Sequence, residues 1–297
     1  MPELRDNEGF LIAHDGARLG LTVWSPPQAD GPQHVIVGIH GMNNYAGEFR
    51  LAAPAWAAAG VQVYAYDQRG FGRSVNRGLW AGEALMQEDL RTAVSLARAR
   101  HPDAVVTVVA ISMGAAVAIT AFASERPPEA DRLILSGPGL RGWGALNPVM
   151  AAALRAGANL APGQIVRPPK FAKPTLSDND DFLAVQATDP WHSQENRIDQ
   201  LYGAVSLMEL AHQQAGRLPE TVPVLVSYGA RDEVVPPIGP KRTAPLLPKH
   251  VRTVYYPDGY HVLLSDLQRD KVIGDYLAFI RDPGCALPSG EGEWPFR

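Results

Sequence analysis

The sequence predicts a three-layer α/β fold, in which helices cover both faces of a mostly parallel central sheet. Short, largely apolar runs recur along the chain, as expected for strands that are buried on both faces. Longer helical patterns separate these runs, which is the alternation typical of a parallel sheet. The predicted strands are His34–Ile39, Val61–Tyr66, Val105–Ala110, Arg132–Leu135, Val222–Tyr228 and Val251–Tyr256.

One further strand and four helical patterns complete this predicted core. The segment Arg18–Trp24 alternates apolar and polar side chains more regularly than the other runs. We therefore expect an antiparallel strand at the edge of the sheet. The helical patterns cover Leu51–Ala59, Ala81–Arg100, Met113–Ser124 and Leu267–Ile280.

The alternation of strands and helices stops between Pro138 and Glu220, where Gly, Pro and aromatic residues interrupt the pattern. We interpret 138–220 as an inserted cap, which divides the core into a first part, 1–137, and a second part, 221–297. A chain of 297 residues is long enough for one domain with such an insertion.

Two segments outside the core pattern carry specific expectations. Within the cap, the stretch 148–161 has Arg155 as its only charge, which predicts a helix that is apolar on nearly every side. Such a helix is either buried against the core or part of a lid whose outer face stays exposed. The tail that begins at Pro283 is rich in Pro and Gly and is expected at the surface, with Trp294 and Phe296 tucked against the body.

Composition and charge argue against several classes of function. The formal net charge of -4 leaves no basic surplus to neutralise phosphates, so we expect no nucleic acid partner. Cys285 is the single cysteine, so no disulfide can form within the chain. The first residues mix charges and lack the apolar run of a secretory signal, which predicts a cytoplasmic protein.

The uncharged segment Ala104–Ala123 has the length of a membrane-spanning helix. Its first half is rich in valine, which favours strands, and the part after Ser112 is rich in alanine, which favours helices. We therefore predict a strand, a tight turn and a helix.

That turn holds the first candidate for chemistry. A serine hydroxyl is a weak nucleophile at neutral pH, so a hydrolase places it beside a base and exposes it on a sharp turn after a strand. The pentapeptide Ala110–Gly114 fits, with Ser112 at its centre. The usual pattern is Gly-x-Ser-x-Gly, and Ala110 is a mild departure because alanine is the next smallest residue. Alone, the pentapeptide is equally compatible with an ordinary strand–helix turn.

Two backbone amides are candidates for stabilising an oxyanion beside Ser112. The N–H of Met113 lies at the predicted N-terminus of a helix and points toward that position. Upstream, the strand Val35–Ile39 ends in His40–Gly41, and a tight turn there leaves the N–H of Met42 as the second donor. By itself, His40–Gly41 is also compatible with a simple strand-ending turn.

An acid and a base should follow the serine, each on a loop after a strand, because these loops converge at the carboxyl edge of a parallel sheet. The fifth predicted strand is followed by Asp232 and the sixth by His261. We predict that His261 takes the Ser112 proton and returns it to the leaving group, while Asp232 holds the imidazole tautomer. Glu233 and His250 are the nearest rivals, and neither is placed as well relative to a strand end.

Five motifs carry a family resemblance that extends over roughly Asp15 to Ile280. They are His40–Gly41, Tyr66–Ser74, Ser112–Gly114, Gly229–Asp232 and Gly259–His261. This set resembles the monoglyceride lipase and lysophospholipase branch of the α/β-hydrolases, which is serine aminopeptidase-like. The resemblance implies the α/β-hydrolase fold with an inserted helical lid. The glycines from Gly70 do not form a nucleotide-binding loop, because Val75 stands where the third glycine is needed, and the family implies a structural loop.

The resemblance also implies a serine carboxylic ester hydrolase that needs no metal and no cofactor. Its expected substrates are monoacylglycerols, lysophospholipids or similar acyl esters, cleaved through an acyl-enzyme, and its cap is expected to contact membranes or micelles transiently. Family members often carry a Glu and an Arg near a glycerol headgroup after the His-Gly turn. Asn44 and Glu48 stand near those positions here, so ester hydrolysis carries over more securely than the preference for glycerol.

Two alternatives remain open at this point. One is an amide or thioester hydrolase, and the other is a ligand-binding protein that kept this fold after losing turnover. The presence of a complete Ser, Asp and His set argues against the second, because binding alone needs none of them. A haloalkane dehalogenase is excluded, since it needs a carboxylate where Ser112 stands.

Overall fold

A computed structural model describes residues 1–27, 31–167 and 174–296, which form one large sheet, a small separate sheet and eight α-helices. The strands are β1 (Glu3–Arg5), β2 (Phe10–Ile12), β3 (Arg18–Trp24), β4 (His34–Ile39), β5 (Val61–Tyr66), β6 (Val105–Ile111), β7 (Arg132–Ser136), β8 (Ile165–Val166), β9 (Asn196–Arg197), β10 (Val224–Gly229) and β11 (Arg252–Tyr256). The helices are α1 (Ala53–Ala58), α2 (Glu83–Arg100), α3 (Met113–Phe122), α4 (Pro148–Leu160), α5 (Asp180–Thr188), α6 (Ile198–Gln214), α7 (Ile238–Thr243) and α8 (Arg269–Arg281).

The large sheet has nine strands in the order β1-β2-β3-β5-β4-β6-β7-β10-β11. The six strands from β5 to β11 in this order are parallel. One apolar cluster joins the sheet to α2 and α3, and a second joins it to α1 and α8. Because both faces are covered, the strands can be apolar at successive positions. The predicted α/β fold with helices on both faces is confirmed.

The antiparallel side of the sheet differs from the prediction. Arg18–Trp24 is antiparallel to β5, as expected, but it is not the edge strand, so that part of the prediction is wrong. The three-residue strands β1 and β2 pair outside it. Strands this short show too little alternation to be recognised in the sequence.

The described part of the segment between β7 and β10 lies outside the large sheet. It contains α4, β8, α5, β9 and α6, and the short strands β8 and β9 pair only with each other. The helix α6 packs against α3 and α4, which places this segment over the carboxyl edge of the parallel strands. Residues 168–173 of the predicted cap lie outside the described residues.

The helix α4 is exposed along most of its length. Asn147 caps its first turn by accepting a hydrogen bond from the Val149 N–H at 2.9 Å, and Pro148 occupies the first position, where no N–H is needed. Only Ala151 is buried, whereas Val149 and Leu160 are 76% and 85% exposed. Burial against the core therefore does not explain the apolar character of this helix.

The remaining expectations concern the uncharged segment Ala104–Ala123 and the tail. Ala104–Ala123 contains β6, the turn at Ser112 and α3, as predicted. Within the described ranges, no helix combines the length and the apolar character that crossing a bilayer requires. In the tail, Trp294 and Phe296 pack edge-on against Tyr228 at centroid distances of 5.7 and 6.1 Å, so the predicted contact with the body is confirmed.

Candidate active site

Ser112 lies on the sharp turn between β6 and α3. Its backbone is in the left-handed region, with φ 53° and ψ -114°, which is strained for a residue other than glycine. Hydrogen bonds hold the turn on both sides, because the Ser112 N–H donates to Ser136 O at 2.9 Å and Gly139 N–H donates to Ser112 O at 2.8 Å. This conformation directs the Ser112 hydroxyl away from both elements and toward the carboxyl edge of the sheet.

The turn is tightly packed against the end of β4. A Cβ atom on Gly114 would lie 2.6 Å from His40 O and 2.7 Å from Ile39 O, so no side chain fits there. Ala110 is fully buried within β6 and is accommodated. Glycine is therefore required at the second of the two usual positions, and alanine is sufficient at the first.

His261 and Asp232 converge on Ser112 from the loops after β11 and β10. His261 Nε2 lies 2.8 Å from Ser112 Oγ, and His261 Nδ1 lies 2.7 Å from Asp232 Oδ2. The three residues are 7%, 4% and 4% exposed for Ser112, Asp232 and His261. The structure thus brings all three sequence-predicted residues into one continuous hydrogen-bonded chain.

The electrostatic environment of His261 favours an imidazole that can accept a proton. Burial works against the charged imidazolium, but the charge and hydrogen bond of Asp232 outweigh it and raise the pKa of His261 above its ordinary value. The other oxygen of Asp232 accepts hydrogen bonds from the Val234 and Val235 N–H groups, both at 2.8 Å. The acid is therefore fixed in position by the backbone as well as by the histidine.

Neither rival of the predicted acid and base reaches this chain. The Glu233 side chain is exposed and accepts a hydrogen bond from the Thr175 N–H at 2.8 Å. His250 precedes β11 and so lies at the opposite end of that strand from His261.

The two predicted oxyanion donors flank the serine. The Met113 N–H opens α3, and the Met42 N–H belongs to the turn after β4. Among the hydrogen bonds of the described residues, neither amide has an acceptor. Unpaired amides at a helix N-terminus and a strand end can accept charge that develops on a carbonyl oxygen beside Ser112.

A buried network holds the turn that carries Met42. Burial lowers the pKa of His40 to about 4, so the ring is neutral at ordinary pH. Its Nδ1–H then donates to Gly41 O at 2.6 Å, and its Nε2 accepts from the Gln68 N–H at 2.8 Å. The Gln68 side chain returns a hydrogen bond to His40 O at 2.6 Å. His40 thus acts as a structural brace, and sequence reasoning did not assign that role.

Glu48 is a second brace, attached to the other side of the same turn. Its Oε2 accepts the Gly41 N–H at 2.6 Å, and the Asn44 side chain is also hydrogen bonded to this carboxylate. Glu48 is only 4% exposed, and burial raises its pKa. The sequence marked Glu48 only as a departure from a family pattern.

Two cavities meet at Ser112. The larger one, of about 510 Å³, lies under α4 and α6 and is lined almost entirely by apolar side chains, with Arg141 as its charged residue. The smaller one, of about 230 Å³, contains His261 and the polar side chains of Asn44, Glu48 and Gln186 among apolar ones such as Leu176 and Val262. Met42, Ser112 and Val234 border both. The serine therefore lies between an apolar cavity and a smaller one that also holds polar side chains.

Comparison with known families identifies the family of this chain. The family model for serine aminopeptidases of the S33 class matches residues 30–268, which is most of the chain. The chain belongs to this family.

Two curated relatives extend over nearly the same length as this S33 family chain. A monoacylglycerol lipase of Mycolicibacterium smegmatis is 29% identical over 89% of this chain and 93% of its own. A monoglyceride lipase of Rattus norvegicus is 26% identical over 86% of this chain and 84% of its own. Among solved structures, a soluble variant of the monoglyceride lipase of Saccharomyces cerevisiae superposes with a TM-score of 0.76 at 17% identity, covering 96% and 95% of the two chains. This last similarity establishes a shared fold.

In this S33 family chain, the loop after β5 is structural, as the resemblance implied. Asp67 is completely buried and accepts hydrogen bonds from the Ala46 N–H at 2.9 Å and the Arg73 N–H at 2.7 Å. Arg69 bridges Asp15 and Asp89. These contacts tie the loop to α2, to the turn before β3 and to the segment after Met42.

Proposed function

We propose that this protein is a serine carboxylic ester hydrolase that acts on monoacylglycerol-type acyl esters. The observation that carries the proposal is the hydrogen-bonded series from Ser112 through His261 to Asp232, placed where the large apolar cavity meets the smaller cavity that contains His261. The names of the two curated relatives support the same substrate class.

The chemistry follows from the contacts. The Ser112 oxygen attacks the ester carbonyl while its proton passes to His261 Nε2, and Asp232 stabilises the imidazolium. The N–H groups of Met42 and Met113 stabilise the oxyanion of the tetrahedral intermediate. His261 then gives the proton to the leaving alkoxide oxygen, which departs as an alcohol. Water attacks the acyl-enzyme by the same route and releases the acid.

The two cavities assign the two halves of the ester. The leaving group must lie near His261, from which it receives a proton, so the smaller cavity, which contains His261, is the alcohol side. The acyl chain then occupies the 510 Å³ cavity, whose size is typical of a ligand pocket and whose apolar lining stabilises each buried methylene by about 0.8 kcal/mol.

The same assignment disfavours an aminopeptidase. An aminopeptidase must bind the α-ammonium group on the acyl side of the scissile bond. The described lining of the acyl cavity includes no carboxylate, and its charged residue, Arg141, repels a cation. Glu48 lies in the cavity on the leaving-group side.

A substrate panel tests the proposed function. We expect kcat/KM on p-nitrophenyl esters to rise from acetate toward longer acyl chains until the cavity is filled, and 1-monoacylglycerol to be cleaved. Leucine p-nitroanilide and an acyl thioester are the comparison substrates. Faster cleavage of either one would favour the amide or thioester alternative, and an intact protein without turnover on any substrate would favour a binding protein.

The exposed face of α4 suggests how lipid substrates enter. Met150 and Val166 line the acyl cavity and are also 56% and 38% exposed, so apolar surface continues from the cavity to the outside. We propose that the cap, 138–220, acts as a lid and touches a membrane or micelle through this surface while the acyl chain transfers.

Charge on the outer face of α4 should separate lipid use from chemistry. We expect Val149→Asp combined with Leu160→Asp to lower the activity on vesicle-borne monoacylglycerol at least about 10-fold, because two side chains that would enter the lipid become charged. Activity on soluble p-nitrophenyl butyrate should stay within about 2-fold, since neither residue lines the acyl cavity.

The matched control places the same change elsewhere on the surface. Leu246 and Leu267 are 44% and 65% exposed and lie outside the cap. The double variant Leu246→Asp and Leu267→Asp should behave like the wild type on both substrates. Equal losses of α4-variant activity on the two substrates would contradict the lid contact.

A further inference from the structure

The alcohol-side cavity contains a buried carboxyl group. Glu48 is the carboxylate among the described residues that line it, and the cavity also holds the reacting Ser112 and His261. Asp232 lies behind His261 and is already bonded to that ring and to two backbone amides. Glu48 therefore supplies the acidic wall that a leaving group meets.

The carboxylate is close to the reacting serine. Both Glu48 oxygens lie 3.5 Å from the position that a Cβ atom on Gly41 would occupy, and Ser112 Cβ lies 3.1 Å from the same point. Only the missing side chain of Gly41 separates the two groups. An alcohol bound next to Ser112 is thus within reach of the Glu48 carboxylate.

Glu48 is held by hydrogen bonds and has no ion-pair partner among the described residues. Its donors are the Gly41 N–H and the Asn44 side chain. The Arg50 guanidinium acts on it only from a distance, because it bonds to Gly47 O and Phe182 O and lies 4.5 Å above the Phe182 ring. Burial raises the pKa of Glu48, while its two hydrogen bonds and His261 in the same cavity act in the opposite direction and favour the ionised carboxylate. The cavity consequently has an acidic group in a poorly solvated position, where charge interactions are strong.

We propose that Glu48 selects the leaving alcohol: it favours an alcohol that donates hydrogen bonds or carries an ammonium group, and it rejects one that carries a phosphate. This inference rests on the proposed ester hydrolysis and narrows its substrates to neutral or cationic leaving groups. A hydroxyl donates a hydrogen bond to the carboxylate and a quaternary ammonium is attracted by its charge, whereas a phosphate meets a like charge without a paired cation beside it. Glu48 is then a specificity-determining residue as well as a brace of the oxyanion turn.

Three octanoyl esters with one acyl chain and different alcohols test the proposal, each used below its micellar concentration. They are 1-octanoylglycerol, octanoylcholine and 1-octanoylglycerol 3-phosphate. We expect the wild type to cleave the phosphate ester with a kcat/KM at least about 10-fold below that of the glycerol ester, given the strength of a like-charge contact in a cavity of this polarity. Octanoylcholine should be cleaved at least as well as the glycerol ester.

The variant Glu48→Gln keeps an acceptor for the Gly41 N–H and removes the charge. We expect its phosphate-to-glycerol ratio of kcat/KM to rise about 10-fold and its choline-to-glycerol ratio to fall at least about 3-fold. Ratios are the readout because any effect on the oxyanion turn or on His261 changes all three substrates equally. Glu195→Gln, in a neighbouring cleft lined by Gly70 and Arg197, is the control and should leave both ratios unchanged.

The outcomes are separable. A wild type that cleaves the phosphate ester as fast as the glycerol ester overturns the proposal, whether or not the variant folds. Equal losses on all three esters in a folded Glu48→Gln protein overturn it too and leave Glu48 as a brace alone. If the wild type cleaves none of the three esters, the proposed function itself is overturned.

Discussion

Ser112→Ala is expected to lower kcat by at least about 10³-fold on any ester that the wild type cleaves, because no other hydroxyl among the described residues lies within hydrogen-bonding distance of His261 Nε2. The melting temperature should change little. Alanine removes one hydroxyl and keeps the strained backbone of the turn. Steady-state kinetics on p-nitrophenyl butyrate and a thermal melt measure the two quantities.

A fluorophosphonate probe supplies an independent readout of the same residue. The wild type should be labelled once, at Ser112, and Ser112→Ala should not be labelled. Ser136 is the matched control, since it is almost fully buried at the end of the neighbouring strand β7. Ser136→Ala should keep labelling and activity. Labelling at another serine would contradict the assignment of the nucleophile.

The parallel core was predictable because local composition and burial agree there. Val105–Ile111 is β-branched at most positions and lies in the middle of the sheet, so propensity and environment favour the same structure. The helix α2 begins at Glu83 and not at Ala81, because Gly82 adopts φ 86° and cannot continue a helix backward. Such a boundary depends on one backbone angle, which the periodicity does not encode.

The candidate triad was predictable for a topological reason. Residues that follow parallel strands gather at one edge of the sheet, so Asp232 and His261 could be selected by their distance from a strand end. The contacts that hold the turn carrying Met42 could not be predicted from the sequence. His40 and Gln68 are 28 residues apart, and their mutual hydrogen bonds arise only because β4 and β5 are neighbours. No pattern of hydrophobic residues records such a contact.

The cap shows a different limit of sequence reasoning. The apolar stretch 148–161 is compatible with burial and with an exposed lid, because periodicity reports the residues of a helix and not what covers it. Arg141 illustrates the same limit for charge. Its place in the wall of the apolar cavity follows from the path of the chain after β7, which nothing local in the sequence specifies.

Asp232→Asn is expected to preserve the fold and to reduce kcat by about 10² to 10⁴-fold. An asparagine oxygen can still accept the Val234 and Val235 N–H bonds, so the loop keeps its support. The amide group that replaces the second oxygen cannot accept the His261 Nδ1–H and carries no charge, so it stabilises neither the required tautomer nor the imidazolium. The pKa of His261 should fall, because Asp232 is the main group that raises it.

Glu233→Gln is the matched control, since it makes the same chemical change one residue further along the chain. Glu233 is exposed and bonds to the Thr175 N–H, an interaction that glutamine can keep. This variant should therefore retain activity within about 2-fold of the wild type. If Glu233→Gln were the crippling change and Asp232→Asn the silent one, the acid of this site would be Glu233.

A second test uses the pH profile of kcat/KM, whose acid limb reports the free-enzyme imidazole. The residual activity of Asp232→Asn should extend to lower pH than that of the wild type, because a histidine with a lower pKa stays neutral further into the acid range.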